Sequence, residues 1–224
     1  MFRIWIYLSI KNFYLALISF GKNLEKIRFI KNYIQKQSKK NNVFLFSQCR
    51  VGFLFLLNFL IEKNKNKKNE VIICAYNLPE MVNIAVNLKL KVKFCDLDHQ
   101  TGIIDLAEVK RKVSKKTLAI VMTNMFNNYN VAKQVKSISK KNNIPLIEDN
   151  AIYFDNFSNV RNKKYFSGSL GDYSIYSFNI MKNISALYGG AVASNDYEFH
   201  RFLNLESKNL NSFNKTVLLK QIMI

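Results

Sequence analysis

The stretch VIICAYNLPEMVNIAVNLKLKVKFC, from Val71 to Cys95, decides the fold. Its first five residues are apolar and predict a buried strand, Pro79 opens a helix that continues to Leu88, and residues 92–95 predict a second strand. Short apolar strands separated by helices, without strict alternation of polar and apolar residues, are typical of parallel sheets covered on both faces. The sequence therefore predicts an α/β fold with a mostly parallel sheet flanked by helices.

The same alternation continues on both sides of this stretch. Helices are predicted at residues 23–39, 51–61, 105–113, 131–142 and 196–208, and further strands at residues 43–46, 117–123, 145–148, 173–178 and 191–194. In such sheets ligands bind outside the carboxyl ends of the strands. The segments that follow the strands are therefore the candidate site, namely residues 47–50, 75–78, 96–98, 124–128, 149–152 and 177–182.

The charge balance is strongly basic. The 224 residues are 49% hydrophobic, enough for one sizeable core, and 34 Lys and Arg against 15 Asp and Glu give a net charge of +19. One interpretation is an anionic partner such as nucleic acid, a membrane or a small substrate. The other is compositional drift toward Lys, Asn, Ile and Phe, which we favour because the lysines are scattered over loops at 63–68, 115–116 and 140–141 and accompany no nucleic-acid motif.

Cysteine and histidine usage is sparse. The chain has three cysteines without CxxC spacing, Cys49, Cys74 and Cys95, and two histidines, His99 and His200. These residues are a poor ligand set for zinc, so no metal is expected. Reduced thiols in a cytoplasmic protein are the simpler interpretation.

The first 21 residues are apolar and aromatic but interrupted by Lys11 and Asn12. They predict an amphipathic helix on the protein, a partner or a membrane surface, and not a signal peptide or a spanning helix. We divide the chain into a helical region at residues 1–41 and one large domain at residues 42–224.

Three motifs follow one another in the second half of the chain. IPLIEDNA (144–151) puts Glu148 and Asp149 at the end of a buried strand. GSLGDYSIYSFNIMKN (168–183) carries Lys182 five residues after Ser177, and GGAVASND (189–196) follows. Together they resemble the DegT/DnrJ/EryC1/StrS sugar aminotransferases, a branch of the fold-type I enzymes that use pyridoxal 5'-phosphate. Segments 44–57, 71–86, 92–105 and 118–123 match the family in the same order, so the resemblance covers residues 42–196.

The resemblance implies a cofactor site built from these positions. Lys182 would hold the aldehyde of pyridoxal phosphate and move the substrate's α-proton, and Asp149 would pair with the pyridine nitrogen, so that the protonated ring acts as an electron sink. A helix start and a strand hydroxyl would bind the phosphate, and three further side chains would touch the ring. The phosphate residues are Arg50, Val51 and Ser177; the ring residues are Tyr76, Leu78 and Ile152.

The resemblance also implies an activity. Family members transfer an amino group from glutamate or glutamine to a keto sugar linked to a nucleotide, in surface-polysaccharide synthesis, and act as homodimers completed by a smaller carboxy-terminal domain. That domain has no counterpart up to Ile224, and Ile152 and Leu78 stand where the family usually has a polar and an aromatic side chain. The alternative is therefore a truncated or degenerate relative without activity.

Overall fold

The computed structural model describes residues 24–125, 128–154, 166–179, 182, 184–186 and 188–209. The helices are α1 (Leu24–Ser38), α2 (Cys49–Lys63), α3 (Pro79–Asn87), α4 (Leu106–Lys112), α5 (Tyr129–Lys141) and α6 (Tyr197–Glu206), followed by a 3₁₀ turn at Ser207–Asn209. The strands are β1 (Asn42–Phe46), β2 (Glu70–Cys74), β3 (Lys91–Cys95), β4 (Thr117–Thr123), β5 (Leu146–Asn150), β6 (Tyr173–Ser177) and β7 (Gly190–Ser194). Each helix and strand predicted within the described residues is confirmed to within two residues at either end.

The seven strands form one sheet in the order β1-β7-β6-β5-β4-β2-β3. The strands from β3 to β6 are parallel, and β7 runs antiparallel to both of its neighbours, β6 and β1. The sheet is mostly parallel, as the sequence predicts, and its fully buried strands β2, β4, β5 and β7 explain the absence of polar and apolar alternation.

Helices cover both faces of the sheet. Val71 and Ile73 of β2 pack in one cluster with Leu56 of α2 and Ala85 of α3. Ile72 and Cys74, the alternate residues of the same strand, pack in a second cluster with the helices α4 and α5. This alternation follows from the two-residue period of a strand, so each strand supplies side chains to both layers.

Helix α1 belongs to the same core as the sheet. Ile34 is fully buried and packs with Val43, Tyr176 and Ala191 on the side of the sheet where β1 and β7 lie. The predicted division at residue 41 stays a prediction, since residues 1–23, including the predicted amphipathic segment, lie outside the described part of the chain. No helix within the described residues is long and apolar enough to cross a membrane.

The strand directions create two different ends of the sheet. At one end the parallel strands begin: the backbone N–H of Glu70 bonds to the Lys116 carbonyl at 3.0 Å, and that of Lys91 to the Asn69 carbonyl at 2.7 Å. At the other end the strands finish, and the N–H of Asn124 bonds to the Asp149 carbonyl at 2.8 Å. The candidate site lies at this second end, the carboxyl end.

Candidate functional site

A cavity of 520 Å³ opens at the carboxyl end of the sheet. It is lined by residues at the ends of β2, β4, β5 and β6, by the start of α2 and by the turn that leads into β7. Its volume falls in the range of ordinary small-molecule sites, about 300–1,000 Å³. A cavity at this place is what the topology of a parallel sheet predicts.

Asp149 forms the floor of the cavity and is only 3% exposed. Its Oδ1 accepts a hydrogen bond from the Ala151 N–H at 3.0 Å, and its Oδ2 lies 3.5 Å from the Thr123 hydroxyl. Thr123 in turn accepts from the Asn77 side chain at 3.1 Å. Three strand ends thus orient one carboxyl group.

Burial raises the pKa of the Asp149 carboxyl, while the Ala151 N–H, the charge of Lys182 and Thr123 each lower it in part. The protein groups around Asp149 therefore leave its charged form incompletely compensated. A cationic ring nitrogen placed against this carboxylate would supply the missing compensation, so the site fits a protonated pyridine.

Lys182 lines the same cavity from the turn that follows β6. Its backbone N–H bonds to the Asn179 carbonyl at 3.0 Å, and the side chain is partly buried. The charge of Lys182 lowers the pKa both of Asp149 and of the Cys49 thiol. The structure therefore brings the amine and the carboxylate into one cavity, within electrostatic reach of each other.

The start of helix α2 forms another wall. Gln48, Cys49 and Arg50 line the cavity there, and the first N–H groups of a helix have no partner within it, which suits an anion such as a phosphate. A Cβ on Gly190 would lie 2.3 Å from the backbone nitrogen of Cys49, so only glycine lets β7 approach this helix start. Burial raises the pKa of the Cys49 thiol well above its usual range, which leaves it a neutral wall residue.

Arg50 points toward solvent as well as the cavity. Its guanidinium lies 3.4 Å from the Glu80 carboxylate, and both side chains are about half exposed. Exposed pairs of this kind are weak, about 0–1 kcal/mol, so Arg50 remains available to a stronger anionic partner.

The mouth of the cavity is apolar. Tyr76, Leu78 and Ile152 all line it, and they are 61%, 55% and 40% exposed. Such side chains can hold the face of a flat ring by van der Waals contact. Ile152 and Leu78 offer no side-chain hydrogen bond to a ligand.

Glu148 has a different role from its neighbour Asp149. It is fully buried and faces the turn before β6, where its carboxylate accepts hydrogen bonds from the N–H groups of Gly168 at 3.2 Å, Leu170 at 2.8 Å and Gly171. The Asn124 side chain donates to it at 3.3 Å. This carboxylate stabilises the turn that sets the path of β6 toward Lys182.

The model of the DegT/DnrJ/EryC1/StrS aminotransferase family matches residues 25–211. The chain belongs to this family.

Relatives and solved structures agree with that assignment. The chain is 27% identical to the GDP-perosamine synthase of Escherichia coli O157:H7 over 184 residues, which are 80% of this chain and 50% of that protein. It is 34% identical over 119 residues to a UDP-4-amino-4,6-dideoxy-N-acetyl-beta-L-altrosamine transaminase of Campylobacter jejuni, 52% of this chain and 30% of that one.

Among solved structures, the E. coli GDP-4-keto-6-deoxy-D-mannose-3-dehydratase with bound hydrated pyridoxal phosphate superposes with a TM-score of 0.72. The two chains are 22% identical, and the match covers 95% of this chain and 56% of the dehydratase. This likeness shows the fold. The chain thus spans about half the length of the GDP-perosamine synthase and of the dehydratase.

Most of the family positions predicted from the sequence meet in the cavity. These are Arg50, Tyr76, Leu78, Asp149, Ile152, Ser177 and Lys182. Val51 is not among the lining residues, and its backbone N–H bonds to the Gln48 carbonyl at 3.2 Å, so the described geometry gives its predicted phosphate contact no support. Of the six strand-end segments, 96–98 and 124–128 contribute no described residue to the lining.

Thr123 and Tyr188 line the cavity although they lie outside the predicted strand-end segments, whereas Asn77 is predicted only as part of the segment 75–78. Thr123 and Asn77 form the hydrogen-bonded chain that orients Asp149, and Tyr188 lies beside the glycine turn. The rule that ligands meet strand ends could have found Thr123, because it is the last residue of β4. No signal in the sequence pointed to Tyr188.

Proposed function

We propose that this chain is the large domain of a pyridoxal-phosphate-dependent aminotransferase that acts on a keto sugar linked to a nucleotide. The observation that carries the proposal is the meeting of Lys182 and Asp149 in one cavity at the carboxyl end of the sheet. The amino donor would be glutamate or glutamine, and the product would enter surface-polysaccharide synthesis in the cytoplasm. The complete enzyme would be a homodimer.

The residues present fit the cofactor. Lys182 would hold it, Asp149 would face its ring nitrogen, and the start of α2 together with Ser177 would receive its phosphate. Tyr76 and Leu78 would contact the ring. When bound, pyridoxal phosphate supplies an electron sink that stabilises negative charge on the substrate's α-carbon.

The chain's own residues then divide the remaining work. The Lys182 amine would accept the proton from the substrate's α-carbon and hold it within the cavity for its return. Thr123 and the Ala151 N–H keep Asp149 aimed into the cavity. The apolar side chains of Leu78 and Ile152 exclude water from that wall, which strengthens the charge interaction inside.

The second candidate is a family member without catalytic activity. It is favoured by Ile152, whose side chain makes no hydrogen bond to a ring hydroxyl. Such a protein could still bind the cofactor and yet fail to exchange its amino group.

The experiment is to add pyridoxal phosphate to the purified chain, record the visible absorption band, reduce with borohydride and map the labelled peptide. The expected result is one adduct on Lys182 and a band that L-glutamate or L-glutamine discharges. Lys182→Arg should lose both, while Lys133→Arg, which alters an exposed lysine outside the cavity, should keep both. Label spread evenly over surface lysines would overturn the proposal, and a Lys182 adduct that no amino donor discharges would favour the inactive relative.

A further inference from the structure

The lysine loops that look scattered along the sequence meet at one end of the sheet. Five segments precede β1, β2, β3, β4 and β5, namely residues 39–41, 63–69, 88–91, 113–116 and 140–145. Since β1 to β6 all run in one direction, these segments lie at the same end, opposite the cavity that contains Lys182. We call this end the lysine edge.

The five segments of the lysine edge carry only positive side-chain charge, and two acidic residues at this end of the sheet, Asp172 before β6 and Asp196 after β7, lie between β1 and β5. The segments hold twelve lysines and neither an aspartate nor a glutamate; the lysines are Lys39, Lys40, Lys63, Lys65, Lys67, Lys68, Lys89, Lys91, Lys115, Lys116, Lys140 and Lys141. Four of the segments are joined by hydrogen bonds: Lys68 donates to the Asn143 carbonyl at 3.4 Å, the Asn69 N–H to the Lys116 carbonyl at 3.0 Å, and the Lys91 N–H to the Asn69 carbonyl at 2.7 Å. Lys40 of the fifth segment lines one surface pocket together with Lys63 and Lys68. The charges therefore form one surface.

Local structure does not neutralise this charge. The helices α1 to α5 end at this side, and the partial charge at a helix carboxyl end is about −0.5, which offsets only about two of the twelve lysines in total. Three carboxylates at this end already pair with a lysine: Glu70 with Lys93, Asp172 with Lys136 and Asp196 with Lys63. The exposed Glu62, at the end of α2, forms no ion pair with a described residue and offsets one further charge. Nine of the lysines are exposed and form no ion pair with any described residue: Lys39, Lys65, Lys67, Lys89, Lys91, Lys115, Lys116, Lys140 and Lys141.

The shape and chemistry of the edge select the partner. Seven strands at about 4.8 Å spacing make it about 30 Å wide, and its lysines extend over the helix layers on both faces. The five segments contain no arginine, whose planar guanidinium forms paired hydrogen bonds with bases and phosphates. They also contain no aromatic residue on which a base could stack. A broad field of lysine point charges matches an anionic plane better than a nucleic-acid groove.

We propose that the lysine edge binds the surface of an anionic phospholipid bilayer. Bound in this way, the domain would turn the opposite end of the sheet, with the cavity and Lys182, toward the aqueous phase. The proposal rests on the charge and direction of the strands and holds whether or not the chain is an active transferase.

The test is co-sedimentation of the full chain with extruded vesicles of phosphatidylcholine, with and without phosphatidylglycerol. Binding is expected only with the anionic lipid and should fall as salt is raised. Replacing Lys115, Lys116, Lys140 and Lys141 by glutamine should lower the vesicle partition more than about tenfold, because each lysine near an anionic surface contributes separately. The matched control replaces Arg28, Lys133, Arg201 and Lys208, four exposed cations outside the edge, and should keep partition within about twofold.

Thermal unfolding of both variants establishes that they are folded. Equal loss of vesicle binding in the edge and control variants would overturn the proposal, because binding would then depend on the net charge of the protein and not on the position of the lysines. Absence of vesicle binding would overturn it too, as would binding of a DNA duplex, followed by fluorescence anisotropy, that persists at salt concentrations that release the vesicles.

Discussion

The two ends of the sheet use charge in opposite ways. At the carboxyl end, the described residues of the strand-end segments include two cationic side chains, Arg50 and Lys182, and three acidic ones, Asp96, Asp98 and Asp149. Arg50, Lys182 and Asp149 line the cavity. At the lysine edge, twelve lysines meet with no acidic residue in the same segments. The carboxyl end is therefore arranged to bind one small ligand, while the lysine edge carries the charge of an extended anionic contact.

Glu148 and Asp149 show the same contrast within one strand. They are neighbours in β5, both are buried, and they face opposite sides of the sheet. Asp149 faces the cavity, and its protein neighbours compensate its charge only in part, whereas Glu148 accepts hydrogen bonds from backbone N–H groups of the turn before β6. Adjacent carboxylates thus serve ligand binding and fold stability separately.

The largest expected effect concerns Asp149. Asp149→Asn removes the carboxylate that would compensate a cationic ring nitrogen, and loss of one partner of a buried charge pair costs about 3–5 kcal/mol. The affinity for pyridoxal phosphate should fall at least about 10²-fold in an absorbance titration. The control is Asp96→Asn, which removes an exposed strand-end carboxylate outside the cavity and should leave the affinity unchanged. Equal effects of the two substitutions would remove the distinction between cavity and surface.

Glu148→Gln should act on stability more than on binding. The substitution removes the charge that strengthens the hydrogen bonds from the 168–171 turn, and we expect the free energy of unfolding to fall by about 2 kcal/mol in urea titrations. Glu62→Gln, at an exposed glutamate of α2, should change it by less than about 0.5 kcal/mol. If cofactor affinity fell while stability stayed constant, the division of labour between Glu148 and Asp149 would be wrong.

Lys40, with an expected change of about 1 kcal/mol per pH unit, tests the contrast within the lysine edge itself. It is the one lysine of that edge that is buried, with its Nζ donating to the Gly168 carbonyl at 2.8 Å, and burial lowers its pKa to about 8. Since the unfolded chain keeps the ordinary value of 10.5, it binds more protons than the folded chain between these two values. The stability contribution of Lys40 should therefore rise with pH from about 8 to about 10.5.

The measurement compares the wild type with Lys40→Met, because the buried thiols and Tyr173 titrate equally in both. The difference in the free energy of unfolding, wild type minus Lys40→Met, should increase by about 1 kcal/mol per pH unit above pH 8. Lys39→Met alters the exposed neighbour and should leave the difference from wild type independent of pH. A gap between wild type and Lys40→Met that stays constant with pH would mean that Lys40 is solvated like the rest of the edge.

The order of helices and strands could be predicted from the sequence almost completely, since the hydrophobic runs at 71–75 and 117–123 are local signals. Most of the cavity-lining residues could also be predicted from the family motifs, because residues such as Ser177 and Lys182 lie close together in one short segment with a fixed spacing. Thr123, Asn77 and Tyr188 could not be assigned in the same way, since their importance comes from neighbours distant in the chain.

By itself the sequence determined the elements, the alternation of strand and helix, the family and the net charge, all of which depend on residue type and short spacing. Only the tertiary structure decided that Glu148 and Asp149 face different sides, that Val51 lies outside the cavity, and that the dispersed lysines share one end. The physical reason is strand direction: β1 to β6 run the same way, so their beginnings meet at one edge of the sheet and their ends at the other, whatever their separation along the chain.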